Sequence, residues 1–220
     1  MTTLMTYAGP AEPDRPATRT GGLPLAPAGT VWPTCAACRG PMQFLAQIHL
    51  DDLGRHVGQG TPHGRGVLGL FMCQNNPGLC AEWDPKAGGN RALLFPADGL
   101  RPLVVPDLGE DGDPQAVLLG AVSAIAFQSL PVAADYGEAR AEWLERSGRP
   151  PRHVLGQLGG EPDWLQGDET PDCPGCSQPM PLAVRLEEGQ HAATAMNFGG
   201  GAAYAFACEP CTEAVFLWQC

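Results

Sequence analysis

The stretches "PDCPGCSQPM" (171–180) and "PTCAACRGPM" (33–42) share the pattern Pro-x-Cys-x-x-Cys-x-x-Pro-Met. A closely spaced cysteine pair on a tight turn either performs redox chemistry or supplies two ligands to a metal ion. Because the pattern occurs twice, whatever role the first stretch has, we expect the second to have it as well.

The match between these stretches extends further along the chain. Eight identical residues recur at a constant separation of 138 positions, a period too long for a solenoid repeat. Gly21, Gly22, Pro24, Pro33, Cys35, Cys38, Pro41 and Met42 correspond to Gly159, Gly160, Pro162, Pro171, Cys173, Cys176, Pro179 and Met180. The sequence therefore predicts an internal duplication into two pseudo-symmetric halves.

Short strands are predicted after each cysteine pair. "MQFLAQIHL" (42–50) alternates apolar and other residues as a half-buried strand does, and "PLAVRL" (181–186) is a weaker version of it. Each is followed by a loop and then by an apolar strand that ends in cysteine, "VLGLFMC" (67–73) or "AAYAFAC" (202–208). The 29 glycines and 23 prolines favour strands and turns over long helices.

These patterns predict a β-rich α+β fold with antiparallel sheets and few helices. The best helix candidate is "DYGEARAEWLERSG" (135–148), in which Asp135 caps the start, Glu138 completes a capping box and Gly148 ends the helix. The predicted organisation has three parts: a flexible tail at 1–20, a first half at 21–130 and a second half at 131–220.

Composition restricts the classes of partner and the compartment. A net charge of −11 argues against a nucleic-acid surface and fits a basic protein partner, although acidic charge also serves solubility alone. No stretch approaches about 18 uninterrupted apolar residues, so no membrane span is predicted. The N-terminus lacks the basic start and apolar core of a signal peptide, so we expect a cytoplasmic protein whose thiols stay reduced.

Eight of the nine cysteines form two sets of four. Two Cys-x-x-Cys turns separated by a hairpin are typical of tetrahedral zinc, and the second set has this spacing. The first set ends in the wider arm "CQNNPGLC" (73–80), whose Asn, Pro and Gly allow a broad turn. The predicted ligands of two structural zinc ions are Cys35, Cys38, Cys73 and Cys80 for one ion and Cys173, Cys176, Cys208 and Cys211 for the other.

Three other readings of these cysteines fit the sequence less well. Buried unligated thiols would not recur in paired spacing, disulfides do not suit the inferred compartment, and neither pair opens a helix as a thioredoxin-like redox pair does. A single site shared by both halves stays open. His49, His56 and His63 precede Cys73 and could replace or supplement a thiolate, while Cys220 has no partner and is expected to be a free thiol. Four thiolates close the coordination shell, so we expect a scaffolding ion with no catalytic role.

"GGLP", "VWP", "FLAQIHL" and "GRGVLGLFMC" in the first half resemble the bacterial YwqG-like family. "LGQLGGEPDWLQ", "CPGCSQPM" and "YAFAC" in the second half resemble the eukaryotic programmed-cell-death-protein-two family. The resemblance spans most of residues 19–220. It implies an internally duplicated α+β fold, zinc in the cysteine-bearing members and, from the eukaryotic relatives, a dedicated chaperone for a ribosomal protein.

The leading functional hypothesis is a zinc-stabilised, non-enzymatic protein-binding module that shields a basic partner. The candidate contact residues are aromatic and amide side chains near the repeated turns: Trp32, Trp164, Gln166, Asn197 and Trp218. Packing is the alternative role for each tryptophan, since tryptophan is largely buried on average.

Two other classes of function are compatible with the sequence. An immunity-type or regulatory inhibitor of one cognate protein would also be acidic. A hydrolase is the third class, because Asp163, Asp168, Glu169 and Asp172 offer carboxylates, although acids in a turn-rich segment are usually solvated. The sequence does not specify an oligomeric state.

Overall fold

The described part of the chain contains twelve β-strands, two α-helices and two short 3-10 helices, Pro151–His153 and Glu209–Cys211. The computed structural model describes residues 2–57, 64–107, 118–130, 135–191 and 194–220. The strands are β1 Thr2–Pro10, β2 Arg19–Thr20, β3 Leu25–Ala26, β4 Gln43–His49, β5 Val67–Met72, β6 Asn90–Phe95, β7 Arg101–Pro102, β8 Ser123–Leu130, β9 Val154–Leu158, β10 Leu182–Leu186, β11 Ala202–Cys208 and β12 Glu213–Gln219. The helices are α1 Leu50–His56 and α2 Tyr136–Ser147.

Ten strands form one antiparallel sheet in the order β12-β11-β10-β9-β1-β8-β2-β4-β5-β6, and β3 pairs with β7 separately. The end strands β6 and β12 pack against each other, so the sheet nearly closes into a barrel. Trp83, just before β6, meets the ring of Trp218 in β12 edge-on at 6.1 Å. At the opposite end of this seam, Arg65 pairs with Glu209. This β-rich, largely antiparallel architecture confirms the predicted fold class.

The N-terminal segment differs from its sequence prediction. Residues 1–20 were expected to form a flexible tail, yet β1 lies at the centre of the large sheet between β8 and β9. Residues 2–6 are buried, and Leu4 and Met5 are fully enclosed. The strands on both sides, β8 and β9, form hydrogen bonds with the backbone of this segment. The sequence signal was weak because threonine interrupts the apolar pattern.

The two halves occupy equivalent places in the sheet. Running outward from the central β1–β8 pair, β2, β4, β5 and β6 lie on one side and β9, β10, β11 and β12 on the other. Arg19 donates to the carbonyl oxygens of Gly21 and Leu23. Gln157, 138 positions later, donates to the equivalent carbonyls of Gly159 and Glu161 at 2.6 and 3.1 Å. The internal duplication itself stays a prediction from the sequence.

The largest core lies inside the near-barrel and draws apolar side chains from both halves, including Ile48, Leu70, Val184 and Phe198. Smaller cores surround each cysteine set. Strand β4 is buried along nearly its whole length, because Phe44 packs into the core beside the first cysteine set while its neighbours face the barrel interior. The half-buried alternation predicted for this strand is therefore wrong.

Helix α2 confirms the predicted helix. The Asp135 side chain accepts a hydrogen bond from the backbone N–H of Glu138, and Gly148 ends the helix in the left-handed conformation. Tyr136, Ala139 and Trp143 pack the helix against the sheet. Neither helix in the described part of the chain has the length and apolarity required to cross a membrane.

Candidate metal centres

A tight turn presents the first cysteine pair of each half. In the first half, Thr34 bridges to Pro41, and the backbone N–H of Cys35 donates to the carbonyl of Gly40 at 2.9 Å. Arg39 closes the turn with a positive φ of 64°. Because the turn curls back on itself, both thiols project to the same side.

The equivalent turn in the second half has the same geometry. Asp172 bridges to Pro179, the N–H of Cys173 donates to the carbonyl of Gln178 at 2.8 Å, and Ser177 has a φ of 55°. A non-glycine residue with positive φ is uncommon, and its recurrence at equivalent positions reflects the demands of the turn.

The first cluster brings together Cys35, Cys38, Cys73 and Cys80, with their four sulfur atoms within 4.8 Å of one another. The Sγ atoms of Cys38 and Cys73 are 3.6 Å apart. A disulfide bond is about 2.05 Å long, whereas a tetrahedral site with Zn–S bonds of about 2.3 Å has sulfur–sulfur edges of about 3.8 Å. The spacing fits a closed thiolate site, so this cluster can hold a metal ion.

The second cluster brings together Cys173, Cys176, Cys208 and Cys211, again with all sulfur atoms within 4.8 Å. Cys176 and Cys208 are 3.9 Å apart at Sγ. This cluster is the more accessible of the two, because Cys176 is exposed and Cys208 and Cys211 are half-buried. It also has the donor set and spacing required to hold a metal ion.

The thiols of the first cluster lie close enough to change one another's pKa. Burial raises the pKa of Cys38, but hydrogen bonds from the Gly40 backbone and the Asn75 side chain outweigh it and lower that pKa to about 7. Burial, together with the neighbouring cysteines, raises the pKa of Cys80. Thiolates this close repel one another, and a divalent cation among them removes that repulsion.

The second cluster has the same electrostatic pattern. Desolvation raises the pKa of Cys173, but the backbone N–H groups of Cys176 and Gly175 outweigh it and lower the pKa to about 7. Contacts with Cys208, Cys176 and Cys173 raise the pKa of Cys211 to about 12. In both clusters, a bound cation would offset the repulsion among four closely spaced thiolates.

Asn75 is a contact of the first cluster that the sequence analysis missed. Its Nδ2 lies 3.4 Å from Sγ of Cys38 and 3.4 Å from Sγ of Cys73, and it donates to the carbonyl of Pro41 at 3.1 Å. The only sequence signal was an asparagine inside the wide arm, where a turn role explained it equally well.

The arm between Cys73 and Cys80 is held by Glu82, which is buried. The Glu82 carboxylate accepts from the backbone N–H of Gly78 at 2.5 Å, and its carbonyl accepts from Asn90 at 2.8 Å. These contacts fix the broad turn that brings Cys80 to the other three cysteines.

The structure distinguishes among the other cysteine readings. The two clusters are separate, so the halves do not share one site. His49 lies beside the side chain of Gln47, His56 packs against Phe127 with the two rings tilted, and neither histidine joins a cluster. His63 lies outside the described residues. Cys220 is exposed and belongs to neither cluster.

The three candidate tryptophans have packing contacts. Trp32 is buried, and its indole N–H donates to the carbonyl of Met42 at 2.8 Å. Trp164 is half-buried against Tyr204, with ring centroids 4.5 Å apart. Trp218 is half-buried at the seam between β6 and β12. Packing therefore accounts for Trp32 fully and for the other two in part.

The candidate amides are exposed. Gln166 donates from its side chain to the carbonyl of Cys220 at 2.5 Å and from its backbone to Gln219 at 3.0 Å. Asn197 accepts from the backbone N–H of Gly199 at 3.2 Å. The structure does not bring these amides into one patch with Trp32, which lies in the core around the first cluster.

The carboxylates considered for hydrolysis lie on the surface loop before Cys173. Asp168, Glu169 and Asp172 are exposed, and Asp163 is half-buried. Hydrogen bonds from Thr170 lower the pKa of Asp168, which is the behaviour of a solvated turn residue. These acids have the environment of a charged surface.

A known protein family matches more than half of the chain. The model of a family described as "Domain of unknown function (DUF1963)" matches residues 18–147, more than half of the sequence. YwqG-like proteins carry this domain, which agrees with the resemblance found in the first half. No curated protein matches the chain.

Proposed function

The chain belongs to the DUF1963 family, and we propose that it is a zinc-stabilised, non-enzymatic module that binds a basic protein partner. The observation that carries the proposal is the pair of four-cysteine clusters with sulfur spacings of 3.6 and 3.9 Å. Tetrahedral all-thiolate sites suit zinc or iron–sulfur chemistry. Sulfur–sulfur edges of 3.6 and 3.9 Å fit one tetrahedral ion and not an iron–sulfur cluster, and the paired Cys-x-x-Cys turns are typical of structural zinc.

A scaffolding role for the ions follows from their coordination. Four protein ligands leave no open position for water or substrate, and a catalytic zinc normally retains one. When bound, the ion links chain segments that are distant in sequence. Cys35 and Cys38 would be joined to Cys73 and Cys80 in one half, and the second cluster would join its own turn to the end of β11. The protein's own residues form the surface that binds.

A basic partner is supported by the distribution of charge. Residues 154–220 contain nine acidic residues and one basic residue, Arg185. Arg185 is buried and paired with Glu187, so it does not offset the acidic surface around it. A tetrathiolate zinc centre adds a net charge of about −2 to this segment. Such a surface attracts cationic chains and repels nucleic acid.

The proposal is tested by native mass spectrometry of the protein purified from its own cells without chelator. Two zinc ions per chain and a bound protein of high isoelectric point, released by raised salt, would support it. A metal-free chain, or a specific partner that is acidic and insensitive to salt, would contradict it.

Asn75→Ala is expected to weaken metal binding at the first centre by about tenfold, because groups that hydrogen-bond to ligands usually contribute 10- to 100-fold to metal affinity. Competition with a chromophoric chelator measures the change. Asn76→Ala, at the neighbouring exposed position, is the matched control and should leave affinity unchanged. Equal affinities for the two variants would mean that the contacts of Asn75 with Cys38 and Cys73 contribute nothing.

A further inference from the structure

Two open hollows meet at the end of the seam between β6 and β12. One is lined by Leu50, Leu94, Phe95, Pro96 and Thr212 as well as by Arg65 and Glu209. The other is lined by Pro181, Ala207, Cys208 and Pro210 and by the same Arg65 and Glu209. The hollows are therefore parts of one groove, mostly apolar, with a single ion pair between them.

The ion pair is bidentate and half-exposed. Nε of Arg65 donates to one carboxylate oxygen of Glu209 at 2.7 Å, and Nη2 donates to the other. The two side chains retain 19% and 26% of their exposure. The pair joins two chain segments 144 residues apart, and Asp51 positions Arg65 by accepting from its backbone N–H at 3.2 Å. Water reaches both partners, so another cation can compete for Glu209.

The electrostatic surroundings favour such a cation. Among the residues that the structure describes, Arg65 is the one basic residue that lines either hollow. Cys208 of the second cluster lines the groove, and Glu213 begins β12 directly after the lining residue Thr212. A cationic side chain in this groove would approach a carboxylate and a thiolate centre, and apolar residues would flank it on both sides.

We propose that this groove docks an extended segment of a basic protein, in which a lysine or arginine between two apolar residues takes the place of Arg65 on Glu209. The inference rests on the proposed binding function and assigns it a surface. Alternate residues of an extended segment lie on one face, so an apolar-x-basic-x-apolar pattern matches the two hollows and the ion pair. In the absence of the partner, Arg65 therefore occupies the position on Glu209 that the cation of the partner would take.

If Arg65 competes with the partner's cation for Glu209, substitutions of Arg65 and of Glu209 should change the affinity for a cationic peptide in opposite directions. The probe is a fluorescein-labelled peptide, Ser-Leu-Ser-Arg-Ser-Leu-Ser, and binding is measured by fluorescence anisotropy with the zinc-loaded full chain. Arg65→Met should raise affinity about tenfold by freeing Glu209, and Glu209→Gln should lower it about tenfold. Glu145→Lys, an exposed acid on α2, reverses charge outside the groove and should leave affinity within about twofold.

Two controls separate the groove from general electrostatics and from misfolding. A peptide with citrulline in place of arginine keeps the shape and loses the charge, so it should bind at least about tenfold more weakly. Amide chemical-shift changes in the wild-type chain should centre on Leu94 and Ala207, which line the two hollows. Zinc content is measured for every variant, since Glu209 adjoins a cysteine of the second cluster.

The outcomes distinguish failure of the groove from failure of the proposed function. Equal probe affinity in both ion-pair variants, shifts outside the groove, or no binding to wild type would overturn the groove. In that case two zinc ions and a basic native partner would still support the binding module. A concentration-dependent dimer that Glu209→Gln abolishes would assign the groove to a second copy of the chain and would also overturn the inference.

Discussion

Cys73→Ser is expected to remove one zinc ion per chain and to destabilise the fold around the first cluster. Cys73 is 1% exposed and lies in the core with Trp32, Phe44 and Phe71. Serine cannot replace the thiolate, and the binding free energy of a structural zinc ion is folding free energy of about 10 to 16 kcal/mol in small zinc domains. We expect a loss of several kcal/mol, measured by urea denaturation with metal analysis.

Two further cysteine variants make this result interpretable. Cys220→Ser changes an exposed cysteine outside both clusters, so stability and metal content should be unchanged. Cys176→Ser changes the exposed ligand of the second cluster and should lose one ion with a smaller loss of stability, because its surroundings are already solvated. A Cys73→Ser protein with two ions and wild-type stability would contradict the ligand assignment.

Gly201→Ala is expected to destabilise the protein by about 3 kcal/mol, at the upper end of overpacking effects. A Cβ atom at Gly201 would lie 1.8 Å from the carbonyl oxygen of Gln219 and 2.7 Å from Cα of Cys220. These are backbone atoms, so relief requires β11 and β12 to move apart. A Cβ atom at Gly66, at the equivalent place before β5, would lie 2.0 Å from the carbonyl oxygen of Phe95.

Gly167→Ala is the matched control for this prediction, because nothing lies within 4 Å of a Cβ atom at that position. Its free energy of unfolding should stay within about 0.5 kcal/mol of wild type, as is usual for surface substitutions. Thermal unfolding monitored by circular dichroism compares the two variants. Similar stabilities would show that the β11–β12 pair can absorb the added methyl group and that the close approach is not required.

The features that sequence could predict are those encoded locally. The two cysteine turns, the strands that follow them and the cap of α2 depend on residues a few positions apart, and the structure has them where they were expected. The grouping of the cysteines into two clusters was also predictable, because each set lies within one half and recurs at nearly constant spacing.

The features that sequence could not predict depend on contacts between distant segments. β1 is held by β8 and β9, which pair with it from more than 110 residues away. The ion pair between Arg65 and Glu209 forms because the sheet curls until its end strands meet, and no local pattern encodes that closure. Asn75 reaches the sulfur atoms only because the wide arm folds back over the first turn.

Zinc-edge X-ray absorption of the protein purified without chelator tests the central claim most directly. The account predicts two zinc ions per chain, each with four sulfur ligands at about 2.3 Å and no nitrogen or oxygen ligand. One ion, a mixed shell with an open position, or oxidised cysteines without metal would contradict two closed thiolate centres as the scaffold of this fold.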